Sequence, residues 1–125
     1  MNDKLEAQKG QLKKAKGFLD RALKQPENEF QRAAVIQAFE FCFELSWKYL
    51  KTLVEDDGSM IASPKAVIRE AARHGFIDNP EDWFGFLQSR NLTTHTYIEA
   101  VAEKVYATVK DEFAAALEKL IVSND

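Results

Sequence analysis

The chain has one cysteine, two histidines, three prolines and five glycines in 125 residues, and each scarcity removes a class of explanation. Cys42 alone forms neither an intrachain disulfide nor a thiolate metal cluster. With His74 and His95 far apart in sequence, no zinc site is expected. The glycines are isolated, so a glycine-rich loop of the kind that cradles nucleotide phosphates is missing. Long apolar runs are missing too, and no segment reads as a membrane span. The charged amino terminus, MNDKLEAQKGQLKKAKG, lacks the apolar stretch of a secretory signal. No segment alternates with a period of two, and neither an internal repeat nor a low-complexity linker is present. These absences lead to the expectation of a single all-α domain over residues 1–125, cytoplasmic, with no metal, cofactor or membrane partner.

What is there is charge and apolar residues in helical rhythm. Charged residues make up 30% and hydrophobic ones 46%, the balance of a compact helical protein and not of a disordered one. The net charge of -3 does not favour a polyanion in bulk, so any nucleic-acid contact must come from a local basic patch.

The spacing predicts a first amphipathic helix from Asp3 to Lys24, with Leu5, Leu12, Ala15, Leu19, Ala22 and Leu23 on its apolar side and Lys9, Lys13, Lys14 and Lys16 as a solvated basic face. Asn28 followed by Gln31 resembles a capping box that opens a second helix, about Glu29 to Glu55. On that helix Gln37, Glu40, Glu44, Lys48, Lys51 and Glu55 fall in one stripe roughly 80° wide, and apolar side chains take nearly all the rest. Val35, Phe39, Cys42, Ser46, Tyr49, Leu50 and Leu53 centre on one direction, with Phe41 and Trp47 at opposite edges. This is a central bundle helix whose leftover aromatic rim suits a homodimer contact. The run Asp56 to Ser59 ends it with a turn. Ser63 as N-cap and Pro64 at the first position open a short third helix, which closes before Gly75, with His74 placed against its dipole. Asn79-Pro80 opens a fourth, carrying Trp83, Phe84, Phe86 and Leu87. Thr96 and Glu99 read as a further capping box for a long last helix through Ile98, Val101, Val105, Val109, Phe113, Ala116, Leu117 and Leu120. The expected architecture is an antiparallel up-and-down four-helix bundle, with the Ser63 helix as a short accessory piece.

Polar chemistry concentrates in one junction, Ser89-Arg90-Asn91-Leu92-Thr93-Thr94-His95-Thr96-Tyr97, between the fourth and last helices. Arg90 offers a permanent charge and a planar donor fork for phosphoryl oxygens, and His95 brings an imidazole, a side chain able to move a proton. The alternative is structural: Arg90 complements a helix C-terminus and His95 is a polar connector. Nucleophile triads are not expected, because Cys42 lies in the core helix and His95 is the one credible base.

Arginine, four residues, histidine, one residue and tyrosine form the signature of HEPN-domain proteins. Residues 89–97 look like the version found in the nucleotidyltransferase substrate-binding protein family. The aromatic second helix (F-E-F-C-F-E-L-S-W-K-Y-L), the S-P-K-A-V-I-R-E-A segment, Asp82-Trp83-Phe84 and the long last helix extend the similarity over nearly the whole chain. The resemblance implies a homodimeric helical bundle paired with a separate minimal nucleotidyltransferase chain, similar to the helical domain fused to kanamycin nucleotidyltransferase. Such transferases open their site with Gly-Ser and follow it with Asp-x-Asp for the metals. Gly58-Ser59 has no Asp-x-Asp after it, so this chain is not expected to transfer nucleotides by itself. The first role implied is a substrate-binding subunit that takes nucleotide or substrate and the transferase chain. The second is a metal-independent endoribonuclease toxin acting on RNA, silenced when the partner adds AMP to the motif tyrosine; the third reading is a dimeric helical interaction module without chemistry of its own. Carried over, Arg90 would stabilise charge on a phosphoryl transition state, His95 would act as general base or acid, and Tyr97 would be the nucleotidylated hydroxyl. The family's dimer would bring two motifs together. Asn91 follows the arginine where many toxin-like members carry an acidic residue, a departure that bears on ribonuclease activity more than on fold or partnership.

Overall fold

The structure, a computed structural model, describes residues 3–58 and 60–124; Ser59 of the Gly58-Ser59 pair lies outside the described residues. Helices α1 (Asp3–Leu23), α2 (Glu29–Val54), α3 (Pro64–Arg73) and α4 (Pro80–Leu92) are followed by α5 (Glu99–Thr108) and α6 (Ala114–Ser123). A π turn (Val109–Phe113) joins the last two into one continuous rod. The described residues contain no strand.

Local chemistry accounts for the helix starts. The Asn28 side chain accepts from the Gln31 backbone N–H at 2.8 Å. Only that half of the expected box forms, since the Gln31 amide instead donates to the Ala22 carbonyl at 3.0 Å, stitching α2 to the end of α1. Ser63 caps α3 through Ala66 N–H, with Pro64 at the first helical position, where its missing donor costs nothing. Asn79 caps α4 through Glu81 N–H. His74 is the C-cap of α3, and Gly75 follows it at φ +79°, a left-handed conformation that glycine takes without a Cβ penalty.

Helix α2 is the axis of the bundle. Val35, Phe39, Cys42, Ser46, Tyr49 and Leu50 are all buried along it, and it packs against α1, α3, α4 and α5. Ser46 satisfies its hydroxyl within the helix by donating to the Cys42 carbonyl at 2.6 Å. Burial pushes the Cys42 thiol up to about 12, with the Asp20 charge adding to the effect, so the sulfur stays protonated and inert at neutral pH. Opposite α2, Val105, Val109, Phe113 and Leu117 are all fully buried. Residues four apart on an α-helix drift by about 40° per step, and the wider π turn resets that phase so that all four point inward. It delivers Phe113 edge-on to Phe39 (centroids 4.8 Å), Phe86 (5.1 Å) and Trp83 (6.0 Å).

The expected basic face of α1 is not uniformly solvated. Lys16 is largely covered and bridges two helices, with Nζ 2.7 Å from Asp20 and 2.8 Å from Glu118 of α6. Burial alone would lower its pKa, but these two carboxylates overcome that and hold the ammonium above the usual lysine value.

Candidate functional site

The junction is built by the end of α4, a 3₁₀ turn (Thr93–His95) and the start of α5. The tight turn keeps Arg90, Thr93 and His95 within about one and a half turns of helical chain. Thr96 does not cap α5, which corrects the expected Thr96–Glu99 box. Its hydroxyl instead donates back to the Thr93 carbonyl at 3.1 Å, and α5 begins after Ile98 with no side-chain cap.

Arg90 reaches across to α2. Its Nε donates to Glu44 Oε1 at 3.2 Å, its Nη1 to Thr93 Oγ1 at 3.3 Å, and Nη1 lies 3.9 Å from Glu40 Oε2. Buried Thr93 closes the ring: its one proton is within reach of the Arg90 carbonyl at 2.7 Å and of Glu40 Oε2 at 3.2 Å. The other oxygen of Glu44 accepts from the Trp47 indole at 3.2 Å. One guanidinium thus faces two carboxylates, and the cluster carries no surplus positive charge.

His95 and Tyr97 sit on the exposed side of the same turn. His95 Nδ1 is 3.4 Å from the Tyr97 hydroxyl and the two rings meet at 64°. Tyr97 is 80% exposed. Asn91 is exposed on the last turn of α4, where its carbonyl accepts from Thr94. Arg90, near the end of α4, and His95, in the 3₁₀ turn that follows, belong to one junction but are not bonded to each other: the first faces α2, the second faces Tyr97. Beside Tyr97 runs a groove of about 570 Å³ between α2 and α5, lined by Glu29, Arg32, Gln37, Glu40, Thr96 and Glu103 among others. Among the described residues no cluster of His, Cys, Asp and Glu is arranged to hold a metal ion, and no helix is long and apolar enough to cross a membrane.

Glu40, Glu44, Trp47 and Thr93 were not legible as partners of the motif. Glu40 and Glu44 lie in the narrow polar stripe of α2, where Glu44 has Lys48 four residues on as a local partner. The structure uses the long-range partner Arg90 instead.

A second surface feature lies on the other flank of Glu44. Phe41 is 52% exposed and Phe18 42% exposed. Together with Ala15 and Leu45 they line an apolar groove of about 630 Å³ between α1 and α2, rimmed by Lys14, Arg21 and Glu44. Trp47, the other expected edge of the aromatic rim, is half-buried and tied to Glu44.

A family model described as nucleotidyltransferase substrate binding protein like matches residues 7–123. The chain belongs to that family. Among curated proteins it is 36% identical over 96 residues to the probable ribonuclease HepT of Haemophilus influenzae, an alignment covering 70% of this chain and 66% of that protein, so the chain spans just under two thirds of that relative's length. A Thermus thermophilus protein superposes with a TM-score of 0.81 at 30% identity, over 90% of this chain and 97% of that one. A Haemophilus influenzae protein, whose structure is described as revealing the fold of a substrate binding domain of a nucleotidyltransferase, superposes with a TM-score of 0.72 at 30% identity, over 95% of each chain. The helical bundle with a short accessory α3 is thus the fold of the nucleotidyltransferase substrate binding family.

Proposed function

We propose that this chain is the helical partner of a separate minimal nucleotidyltransferase, that it supplies a surface for nucleotide or substrate in that two-chain system, and that Tyr97 is the hydroxyl it presents to the transferase. The observation that carries this reading is the placement of Tyr97. A phenol that is 80% exposed, seated at the lip of a groove and 3.4 Å from an imidazole nitrogen, is open to an incoming active site and has a base beside it to take its proton. The transfer joins the phenol oxygen to the α-phosphorus of ATP and releases pyrophosphate, with the transferase supplying the metals.

A second reading is favoured by Arg90 and His95 lying at one helix junction and by the likeness to a probable ribonuclease. Here the chain is also a metal-independent endoribonuclease. His95 takes the proton of an RNA 2′-hydroxyl as it attacks the adjacent phosphate, Arg90 offsets the charge that develops, and the 5′-oxygen leaves with a proton from water, giving a 2′,3′-cyclic phosphate and a 5′-hydroxyl. In this case nucleotidylation of Tyr97 would place a bulky anion against the base and silence the site. The Phe18/Phe41 groove, which borders the residue that holds Arg90, supports a homodimer that sets two motifs near each other.

One experiment separates the two. Purified wild-type chain and His95→Ala are incubated with mixed-sequence RNA in EDTA, and separately with the partner transferase, ATP and magnesium. Added AMP mass on Tyr97 is expected in the second incubation; an unmodified Tyr97 with an active transferase defeats the first reading. RNA cleavage by wild type and not by His95→Ala carries the second, and cleavage retained in His95→Ala removes His95 from it.

A further inference from the structure

The motif arginine is not free to choose its orientation, and the residue that decides it lies on another helix. Glu44 accepts from Arg90 Nε through one oxygen and from the Trp47 indole through the other. A carboxylate held at both oxygens cannot swing with the guanidinium; it fixes the plane in which the guanidinium lies. Thr93, buried beneath, accepts from Nη1, and Glu40 stands behind it. Nε and Nη1 are therefore directed into the protein. Nη2 has no hydrogen-bond partner among the described residues; two of the five N–H groups of the guanidinium are taken, and of the three left, two belong to Nη2. An arginine that can turn about its long stem offers any of three edges to a phosphate, whereas one clamped in this way offers one.

We propose that Glu44, backed by Trp47, is a positioning residue for Arg90: it orients the guanidinium so that Nη2 meets a phosphoryl oxygen, and does not itself touch the ligand. The proposal rests on the reading that Arg90 contacts a phosphoryl group. Holding an Arg fork in register reduces the freedom it must lose on binding, so loss of Glu44 should weaken the phosphoryl contact even though it removes a negative charge. That sign sets it apart from simple charge repulsion, under which removing Glu44 would strengthen binding of a polyanion.

The test compares wild type, Glu44→Gln, Glu44→Ala and Arg90→Ala in two measurements. The first is the water-exchange rate of the Arg90 Nε–H proton, followed by nitrogen-edited NMR of the arginine side chains. The second is binding of a short mixed-sequence single-stranded RNA in EDTA, which avoids any need for turnover. Glu44→Ala is expected to expose the Nε–H to faster exchange and to weaken RNA binding on the order of tenfold, the scale of one charge-assisted hydrogen bond. Glu44→Gln keeps one oxygen to accept from Nε but loses the acceptor for the Trp47 indole, so it should fall between wild type and Glu44→Ala in both measurements, an outcome that loss of folding or loss of charge would not produce. Tighter RNA binding by Glu44→Ala, or an unchanged Nε–H exchange rate, overturns the proposal. Arg90→Ala binding as tightly as wild type instead overturns the phosphoryl reading of Arg90, and the exchange rates still decide whether Glu44 orients it.

Discussion

Phe113, midway along the last rod, and Tyr97, just before the rod begins, show how differently the core and the junction of this fold are used. Phe113 is fully buried and packs edge-on against rings from α2 and α4. Tyr97, at the foot of the same rod, touches one imidazole and is otherwise open to solvent. The interior is held by apolar area and ring packing, contributed by residues far apart in sequence. The junction is held by a few polar bonds and leaves its reactive groups uncovered. Stability and chemistry are thus carried by separate sets of residues, and substitutions should fall into two groups according to which set they touch.

The sharpest way to break that division is at the centre of the ring cluster. Phe113→Ala removes a ring shared by Phe39, Trp83 and Phe86 and leaves a cavity beside the π turn that exists to deliver it. A loss of about 3–5 kcal/mol is expected in denaturant unfolding. A loss below ~1 kcal/mol would mean that the cluster relaxes around the gap, and the contrast with the junction would fail.

How much of this was legible in the sequence follows the same division. The helices and three of their starts were readable because their causes are local: Asn28, Ser63 and Asn79 each cap the helix that begins after them. The π turn was not, because nothing in Val109–Phe113 itself demands a wide turn; the demand comes from the core that Val105 and Leu117 must also face. The Arg90 cluster was half readable. Arg90 stood out by its chemistry, but Glu40 and Glu44 became its partners only when α4 docked on α2, and no local spacing encodes that. Lys16 departs from the solvated face expected of α1 for a similar reason, since Glu118 reaches it only through the packing of α6 on α1.

Lys16 gives the next largest effect and tests whether a polar contact can belong to the stabilising set. Lys16→Gln should cost about 1 kcal/mol near neutral pH, a modest figure because Asp20 and Glu118 keep much of their exposure to water. The pH dependence carries the sign. Lys16 is held above its usual value in the folded chain, so its contribution is complete below the unfolded lysine pKa and fades as pH rises through the folded one. The stability gap between wild type and Lys16→Gln should therefore stay level through neutral pH and close under alkaline conditions. A gap that persists at high pH would assign the effect to packing of the lysine stem and not to its charge.

The smallest effects come from two positions that look alike in sequence and differ in the structure. Asn28 and Thr96 both stand shortly before a helix with a Gln or Glu three residues on. Asn28 accepts a backbone N–H of α2, and Asn28→Ala should cost about 1 kcal/mol. Thr96 accepts none from α5; its hydroxyl donates to the Thr93 carbonyl, a bond that water at this partly open turn replaces with little loss. Thr96→Ala should therefore stay within ~0.5 kcal/mol of wild type. Equal losses at the two positions would return Thr96 to a capping role and place the start of α5 among the stabilising elements. The expected inequality keeps the junction as a stretch whose side chains can be altered for chemistry without loosening the bundle that carries it.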